Sequence, residues 1–394
     1  MPRFAVVIAI VLVLTLAAGL AVVPTSLGDP HNNDFTAYWA AGWLNLQGRD
    51  PYAAANLLEV ERSLGWRPSN PLMLWNPPWI LGPLMLAAAV DFTLARNIWL
   101  VLQLALSLGS GIALWRYFRG PAQFEWVSLP LMLLFAPLFL SMKYGQIGPL
   151  CLVGLTGFLV FERRRNDLLA GAMLSLAAMK PHLVYMVWPA VLMWSVTGGR
   201  WKVAVGLVGA GLAFATAPML TNVGVHGDFL RMTSDPPPPE LAGLFITQQD
   251  SPTLGWQLRK WFAPGLFSLQ YVPTILGMAW LAWYGWRHRR AWDWSQRLPI
   301  LLLASLCTAA YGAWPADSLL LLPAVMAVSA SLARAGSRNL IVIASVVFLG
   351  LTLATFAIER QTTTEAYVWV RPAYFLAYVM LMRRTPWEPQ SPHS

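Results

Sequence analysis

Charge is scarce in this chain: Asp, Glu, Lys and Arg make up 11% of 394 residues, where an ordinary soluble domain carries about 25%. That shortage excludes a soluble globular enzyme. The two cysteines, Cys151 and Cys307, both sit in apolar runs, so a disulfide framework and a cysteine-rich metal site are excluded too. Missing as well are an Asp-x-Asp motif and a glycine-rich phosphate cradle, devices by which a soluble domain holds a nucleotide sugar. No repeat at fixed spacing and no matched pair of broken helices relate the two halves, which weakens an alternating-access transporter.

What is there instead is apolar. Hydrophobic residues reach 57%, and runs long enough to cross a bilayer recur along the chain. The sequence predicts an all-α polytopic membrane protein, residues 1–394 forming a single integral membrane domain. The predicted spans are 4–24, 95–117, 126–141, 147–161, 168–180, 183–197, 203–221, 267–286, 298–313, 317–332, 339–358 and 367–382, about twelve crossings. Met1-Pro2-Arg3 and the run after it read as the first span, because the run exceeds a usual signal-peptide core and lacks a small-x-small cleavage site. Pro78 to Val90, about 20 Å as a helix, falls short of a roughly 30 Å hydrocarbon core and is expected to dip in without crossing.

Basic residues fix the expected orientation, since short loops rich in Lys and Arg stay cytoplasmic. With the dipping segment not crossing, Arg3, Arg116/Arg119, Arg163 to Arg165, Arg200/Lys202, Arg287/Arg289/Arg290, Arg334/Arg338 and Arg383/Arg384 share one side. Both termini are then cytoplasmic, and the formal charge of +9 sets topology and does not call for nucleic acid. The other face receives two large loops, 25–94 and 222–266, with most of the acids. Many of the 21 tryptophans stand at span ends as headgroup anchors: Trp115, Trp126, Trp201, Trp286, Trp314 and Trp369. Trp39, Trp43, Trp66, Trp75 and Trp79 cluster in the first outer loop, where lying on the membrane is the preferred reading and stacking on sugars the alternative. Pro236 to Pro239 form a stiff extended spacer.

Chemistry concentrates at a few positions. Asn33 or Asp34 is placed to cap the helix that follows, yet a carboxylate just outside a span and flanked by aromatics is also placed as a general base for a membrane-bound acceptor. Asp50, in Gly48-Arg49-Asp50-Pro51-Tyr52, reads as a turn residue. Lys180-Pro181-His182 separates two short spans, so a cation there sits in a protein-lined recess; snorkelling to the interface is the simpler alternative. Lys143 precedes Tyr144-Gly145-Gln146 at another outer turn, where Gln146 and Tyr144 are also adequate as turn caps. Asp317 reads first as a helix cap, and Arg231, Arg259 and Lys260 as solvated loop charges. Asp29, His31 and Asp34 are close in sequence, but a tight turn explains them, and no metal or other cofactor is expected.

Taken in order, Asp-Phe-x-x-Tyr-Trp (Asp34 to Trp39), Gly-x-Asp-Pro-Tyr (Gly48 to Tyr52), Asn-Pro-Pro (Asn76 to Pro78), Tyr-Gly-Gln (Tyr144 to Gln146) and Ala-Gly-x-x-Leu-x-x-Ala-x-x-Lys-Pro (Ala170 to Pro181) resemble glycosyltransferase family 87 over residues 1 to about 200. Beyond residue 200 the likeness is one of topology. The resemblance implies a GT-C fold in the plasma (inner) membrane and transfer of a hexose, typically mannose, from polyprenyl phosphate to an acceptor glycan or glycolipid at the extracytoplasmic face. It implies Asp34 as the catalytic residue. On that reading Lys180, His182 and Lys143 bind the donor phosphate, while Tyr38, Trp39, Gln146 and Asn76 shape the substrate site. A glycan ligase or polymerase using a lipid pyrophosphate is the second enzyme reading. A lipid or solute transporter, with Lys143, Lys180 and Asp317 lining its path, is the reading from another class.

Overall fold

A computed structural model describes residues 33–235, 250–359 and 364–385. The expected span 4–24, Asp29, His31, the Pro236–Pro239 run and both termini lie outside the described residues. Every regular element among those described is helical, with no strand.

The first outer loop is built, not loose. Asn33 opens α1 (Asp34–Leu46), its Oδ1 accepting from the Phe35 N–H at 2.9 Å. After a turn in which Asp50 Oδ1 accepts from the N–H groups of Tyr52 and Ala53, the turn role expected of it, comes α2 (Ala54–Ser63). Pro77 and Pro78 forbid helix before them and start a 3-10 turn, Pro78–Ile80, that leads into α3 (Leu81–Ala88). The apolar helical run ends at Ala88 and is too short to be a candidate span. α1 presses on α3 at Gly42, where a Cβ would stand 2.5 Å from the Leu84 carbonyl oxygen.

The loop-one tryptophans are partly tucked into the protein, none of the five being exposed. Trp66 is buried, and Trp39, Trp43 and Trp79 pack against the core. The indole N–H groups of Trp39, Trp66 and Trp79 donate to the carbonyls of Val90, Asn70 and Ala178. An indole buried in this way is expected to find such a partner within the protein. Trp115 departs from its expected anchor role: it is buried, with its N–H on Pro121 O. Trp126, Trp201, Trp286 and Trp369 are exposed.

Asp91 caps the long α4 (Phe92–Tyr117). The predicted span 126–141 is two helices, α5 (Ser128–Leu133) and α6 (Ala136–Lys143), bent by 51°. Pro137, in the first turn of α6, lacks the N–H that would have continued the ladder. α7 (Gly148–Arg163) leads to α8 (Asp167–Leu174), which tightens into a 3-10 turn, Ser175–Met179, before Lys180. A second 3-10 turn, Pro181–Val184, opens toward α9 (Val187–Thr197), so the Lys180 turn sits between two short apolar helices. Then follow α10 (Trp201–Thr216), α11 (Val225–Ser234), α12 (Leu254–Phe262), α13 (Val272–His288) and α14 (Trp294–Thr308). A 3-10 turn, Pro315–Leu321, precedes α15 (Leu322–Ala335), and α16 (Arg338–Glu359) and α17 (Val370–Met382) close the described chain.

Among the described residues, four helical runs are long and apolar enough to cross a membrane: Phe92–Tyr117, Trp201–Leu220, Pro315–Ala335 and Arg338–Glu359, or five if the bent pair counts as one. The molecule is thus a polytopic membrane protein. Its layering follows from burial. The Pro315–Ala335 run is 89% buried and Trp201–Leu220 only 17%, so the former is the central column and the latter lies at the periphery. Helix starts that matter for the site, at α1, after Lys180 and before α15, converge around that column.

Candidate active site

The start of α1 offers two candidates for its cap, Asn33 and Asp34. Asn33, in extended conformation, supplies the cap, which leaves the Asp34 carboxylate unneeded for that task. The Asp34 N–H donates to Tyr144 O at 2.9 Å, pinning the helix start to the Tyr144-Gly145-Gln146 turn. Gln146 then reaches back, its Nε2 donating to Asp34 Oδ2. Gln146 is therefore a bridge and not merely a turn cap: its Oε1 accepts from Lys180 Nζ at 2.5 Å and from the Tyr38 hydroxyl at 3.4 Å.

Gly145 makes this approach feasible. Its φ is +62°, and a Cβ there would meet Asn33 Oδ1 at 2.1 Å and Phe35 Cβ at 2.7 Å. Trp99 Nε1 donates to its carbonyl at 2.9 Å. Gly145→Ala is expected to unfold more readily than wild type by more than the roughly 1–2 kcal/mol cost of left-handed backbone alone. Gly199→Ala, at φ +63° with nothing within reach of a Cβ, measures that backbone cost separately in the same thermal unfolding assay. Equal losses in the two variants would show that the Asn33 contact exerts no constraint.

Lys180 does not snorkel. It is 6% exposed and its Nζ donates to Asp317 Oδ1 at 2.6 Å as well as to Gln146. Asp317, 1% exposed, takes the capping role expected of it, Oδ2 accepting from the Trp314 N–H at 2.8 Å, and its Oδ1 pairs with Lys180. The result is a continuous chain, Asp34, Gln146, Lys180, Asp317, drawn from four separate segments. Packing around Asp34 pushes its carboxyl up to about 6, against the pull of Lys180 and with the help of Asp317. Carboxyls raised into this range are suited to proton transfer near neutral pH.

His182 lies at the same turn, its ring 5.7 Å from that of Tyr311 and close to Gly312. Burial pushes it down to about 4, so at neutral pH it is an uncharged imidazole that can donate one hydrogen bond. Asn76 ties the first outer loop to this turn, Nδ2 donating to Met179 O at 3.2 Å while its own carbonyl accepts from the Tyr52 hydroxyl. Two expected site residues are placed elsewhere. Trp39 packs edge-on against Phe92 and donates its indole N–H to Val90 O, about 100° around α1 from Tyr38. Lys143 pairs with Glu359 at 2.6 Å, and Glu359 also accepts from the hydroxyls of Tyr144 and Tyr367.

In the second outer loop, Arg231 pairs with Asp228 and Lys260 with Glu365. Arg259 is buried, donating to Pro264 O and Gln270 Oε1, so it is no solvated loop charge. Sequence reasoning passed over Arg371, fully buried in the first turn of α17; a lone arginine inside an apolar run was the available signal. Among the described residues, no group of three or more His, Cys, Asp or Glu side chains is arranged to hold a metal.

The constellation has the parts an acid–base group transfer needs: a carboxylate with a raised pKa, an amide that orients it, and an ion pair beneath. No curated protein and no solved structure matches the chain. A family profile does, over residues 74–311, more than half of the chain, reaching beyond the stretch whose motifs carry the resemblance. That stretch holds Asn76, Lys143, Gln146, Lys180 and His182, and Asp34 joins them through its contact with Gln146. With that match the chain belongs to glycosyltransferase family 87 and is a membrane glycosyltransferase.

Proposed function

We propose that this glycosyltransferase moves a hexose, mannose on the family likeness, from a polyprenyl-phosphate donor to an acceptor glycan or glycolipid at the extracytoplasmic face of the plasma membrane. On this reading the chain has a GT-C fold of about twelve crossings, with both termini cytoplasmic. The observation that carries it is the Asp34 carboxylate, relieved of capping by Asn33 and held by Gln146 above the Lys180–Asp317 pair.

In the proposed reaction an acceptor hydroxyl attacks the anomeric carbon. Its proton passes to the Asp34 carboxylate as the new C–O bond forms. The bond from the anomeric carbon to the phosphate oxygen breaks on the opposite face, leaving its electron pair on polyprenyl phosphate. Lys180 offsets the charge that grows there, and Tyr38, donating to Gln146, keeps the amide from turning away. The chain's own residues supply this chemistry, and the reading calls on no metal. Membership in a glycosyltransferase family removes the transporter reading. The motif-rich loop at the chain's start favours a single-sugar transferase over a ligase or polymerase.

The test is release of polyprenyl phosphate from labelled polyprenyl-phosphate mannose by purified protein in vesicles supplied with an envelope-lipid acceptor extract. Release is expected; none from mannose or any other hexose donor would overturn the proposal. The raised pKa of Asp34 adds a pH signature. The base form exists only above the pKa, so kcat/KM should fall as pH drops through about 6 and level off above it. A profile flat between pH 5 and 8 would remove Asp34 as the base.

A further inference from the structure

Of the two lysines assigned from the sequence to the donor phosphate, Lys143 is bound to Glu359, and Lys180, near enough to offset charge, already spends two of its three N–H donors on Asp317 and Gln146. A different cation has donors to spare. Arg371 is 1% exposed, and of its three nitrogens only Nη1 is engaged, donating to Pro252 O at 2.8 Å. Nε and Nη2 are buried and meet no hydrogen-bond partner among the described residues.

The two unpartnered nitrogens are not an arbitrary pair. Nε–H and Nη2–H lie on one edge of the guanidinium and point the same way, the fork that grips two oxygens of a phosphate or carboxylate at once. A buried guanidinium in this state is costly, because desolvated donors are left unmatched. Asp317 is close enough to feel its charge, yet both carboxylate oxygens of Asp317 are already taken, by Lys180 and by the Trp314 N–H. Asp317 thus lies within electrostatic reach of the guanidinium without filling the fork.

Position agrees with the chemistry. Pro252 lies next to Ser251, whose Oγ donates to Gly312 O at 3.1 Å, and Gly312 abuts the His182 ring. Arg371 is thus linked through Pro252, Ser251 and Gly312 to His182, and lies within electrostatic reach of Asp317, the partner of Lys180. A leaving phosphate belongs beside such donors if Asp34 takes the acceptor proton.

We propose that the Nε/Nη2 edge of Arg371 is the anion clamp of this enzyme, gripping two non-bridging oxygens of the carrier-lipid phosphomonoester as the sugar departs. The inference rests on the polyprenyl-phosphate reading above and names a residue that reading does not use. On this proposal the Ser251–Pro252 segment, held by one hydrogen bond to Gly312 and one from Arg371 Nη1, has to give way for the phosphate to reach the buried fork.

The test is binding of undecaprenyl phosphate to the full-length protein in phosphatidylcholine nanodiscs, followed by the rise in Tm. Neutral undecaprenol and inorganic phosphate serve as parallel probes, and wild type is compared with Arg371→Gln and Arg371→Lys. Wild type should bind undecaprenyl phosphate, and Arg371→Gln should bind it about 10- to 100-fold more weakly, the scale of a lost charge-assisted pair of bonds. Arg371→Lys, which keeps the charge without the fork, should fall between them, and it alone decides the matter if the glutamine variant does not fold. Unchanged affinity in the folded variants would overturn the clamp while leaving the donor reading intact. Failure of wild type to bind would overturn both. Saturation by inorganic phosphate at the same concentration as the lipid would overturn the lipid carrier as the ligand.

Discussion

Asp34→Asn is expected to lower sugar transfer by at least about a hundredfold, the scale of a lost general base, while leaving the fold in place. Asparagine is nearly isosteric, and its Oδ1 can still accept the hydrogen bond from Gln146 Nε2 that aspartate accepts. The α1 cap is untouched, because it belongs to Asn33. Asn33→Ala is the matching control: loss of the cap should cost about 1 kcal/mol of stability with a far smaller effect on rate than the charge change next to it. Initial rates of polyprenyl phosphate release and thermal unfolding, measured on both variants, separate the two roles. Full activity in Asp34→Asn would reduce the residue to a feature of the helix start and return the base to unassigned status.

The second large effect concerns stability. Lys180 and Asp317 are buried together, and removing one charge strands the other; breaking a buried pair in this way typically costs about 3–5 kcal/mol. Asp317→Asn should therefore lower Tm sharply, even though asparagine can still accept from the Trp314 N–H. Adding Lys180→Met removes the stranded cation and should restore most of the loss, since apolar replacement of a buried pair is often neutral or stabilising. Transfer should stay lost in the double variant. A double variant no more stable than Asp317→Asn alone would show that the pair does not act as a unit, a comparison that a double-mutant cycle makes directly.

The local parts of the site were legible in the sequence, and its long-range joints were not. Asp34, Gln146 and Lys180 each announce themselves through neighbours: a polar cap before an aromatic helix, a Tyr-Gly-Gln turn, a lysine before proline between two short apolar runs. Their partners could not be read the same way. Asp317 lies 137 positions from Lys180, and Glu359 lies 216 positions from Lys143, so a lysine that looked available proved to be engaged. Two acidic side chains buried far along the chain engage both of these lysines. Arg371 escaped notice because hydropathy averages over a window, and one arginine among Val370, Pro372, Ala373 and Phe375 barely moves the mean. The predicted span 126–141 was one apolar run in composition and two bent helices in space, because the N–H missing at Pro137 ends a ladder without changing hydropathy. Tryptophan misled in the other direction. Position at a span end fits an anchor, but whether the indole N–H finds a carbonyl within the protein depends on the fold, as Trp115 shows.

The bond from Trp99 to Gly145 has a mechanical consequence. α4, of 26 residues, is about 39 Å long, more than the roughly 30 Å that hydrocarbon requires, so it must tilt or project beyond the bilayer. Trp99 stands in its early turns and holds the Gly145 carbonyl, and the adjoining Tyr144 carbonyl holds the Asp34 N–H. Through these two hydrogen bonds a change in the tilt of α4 is expected to reach the start of α1. Membranes of different thickness should then present the Asp34 carboxylate to their headgroups at different heights.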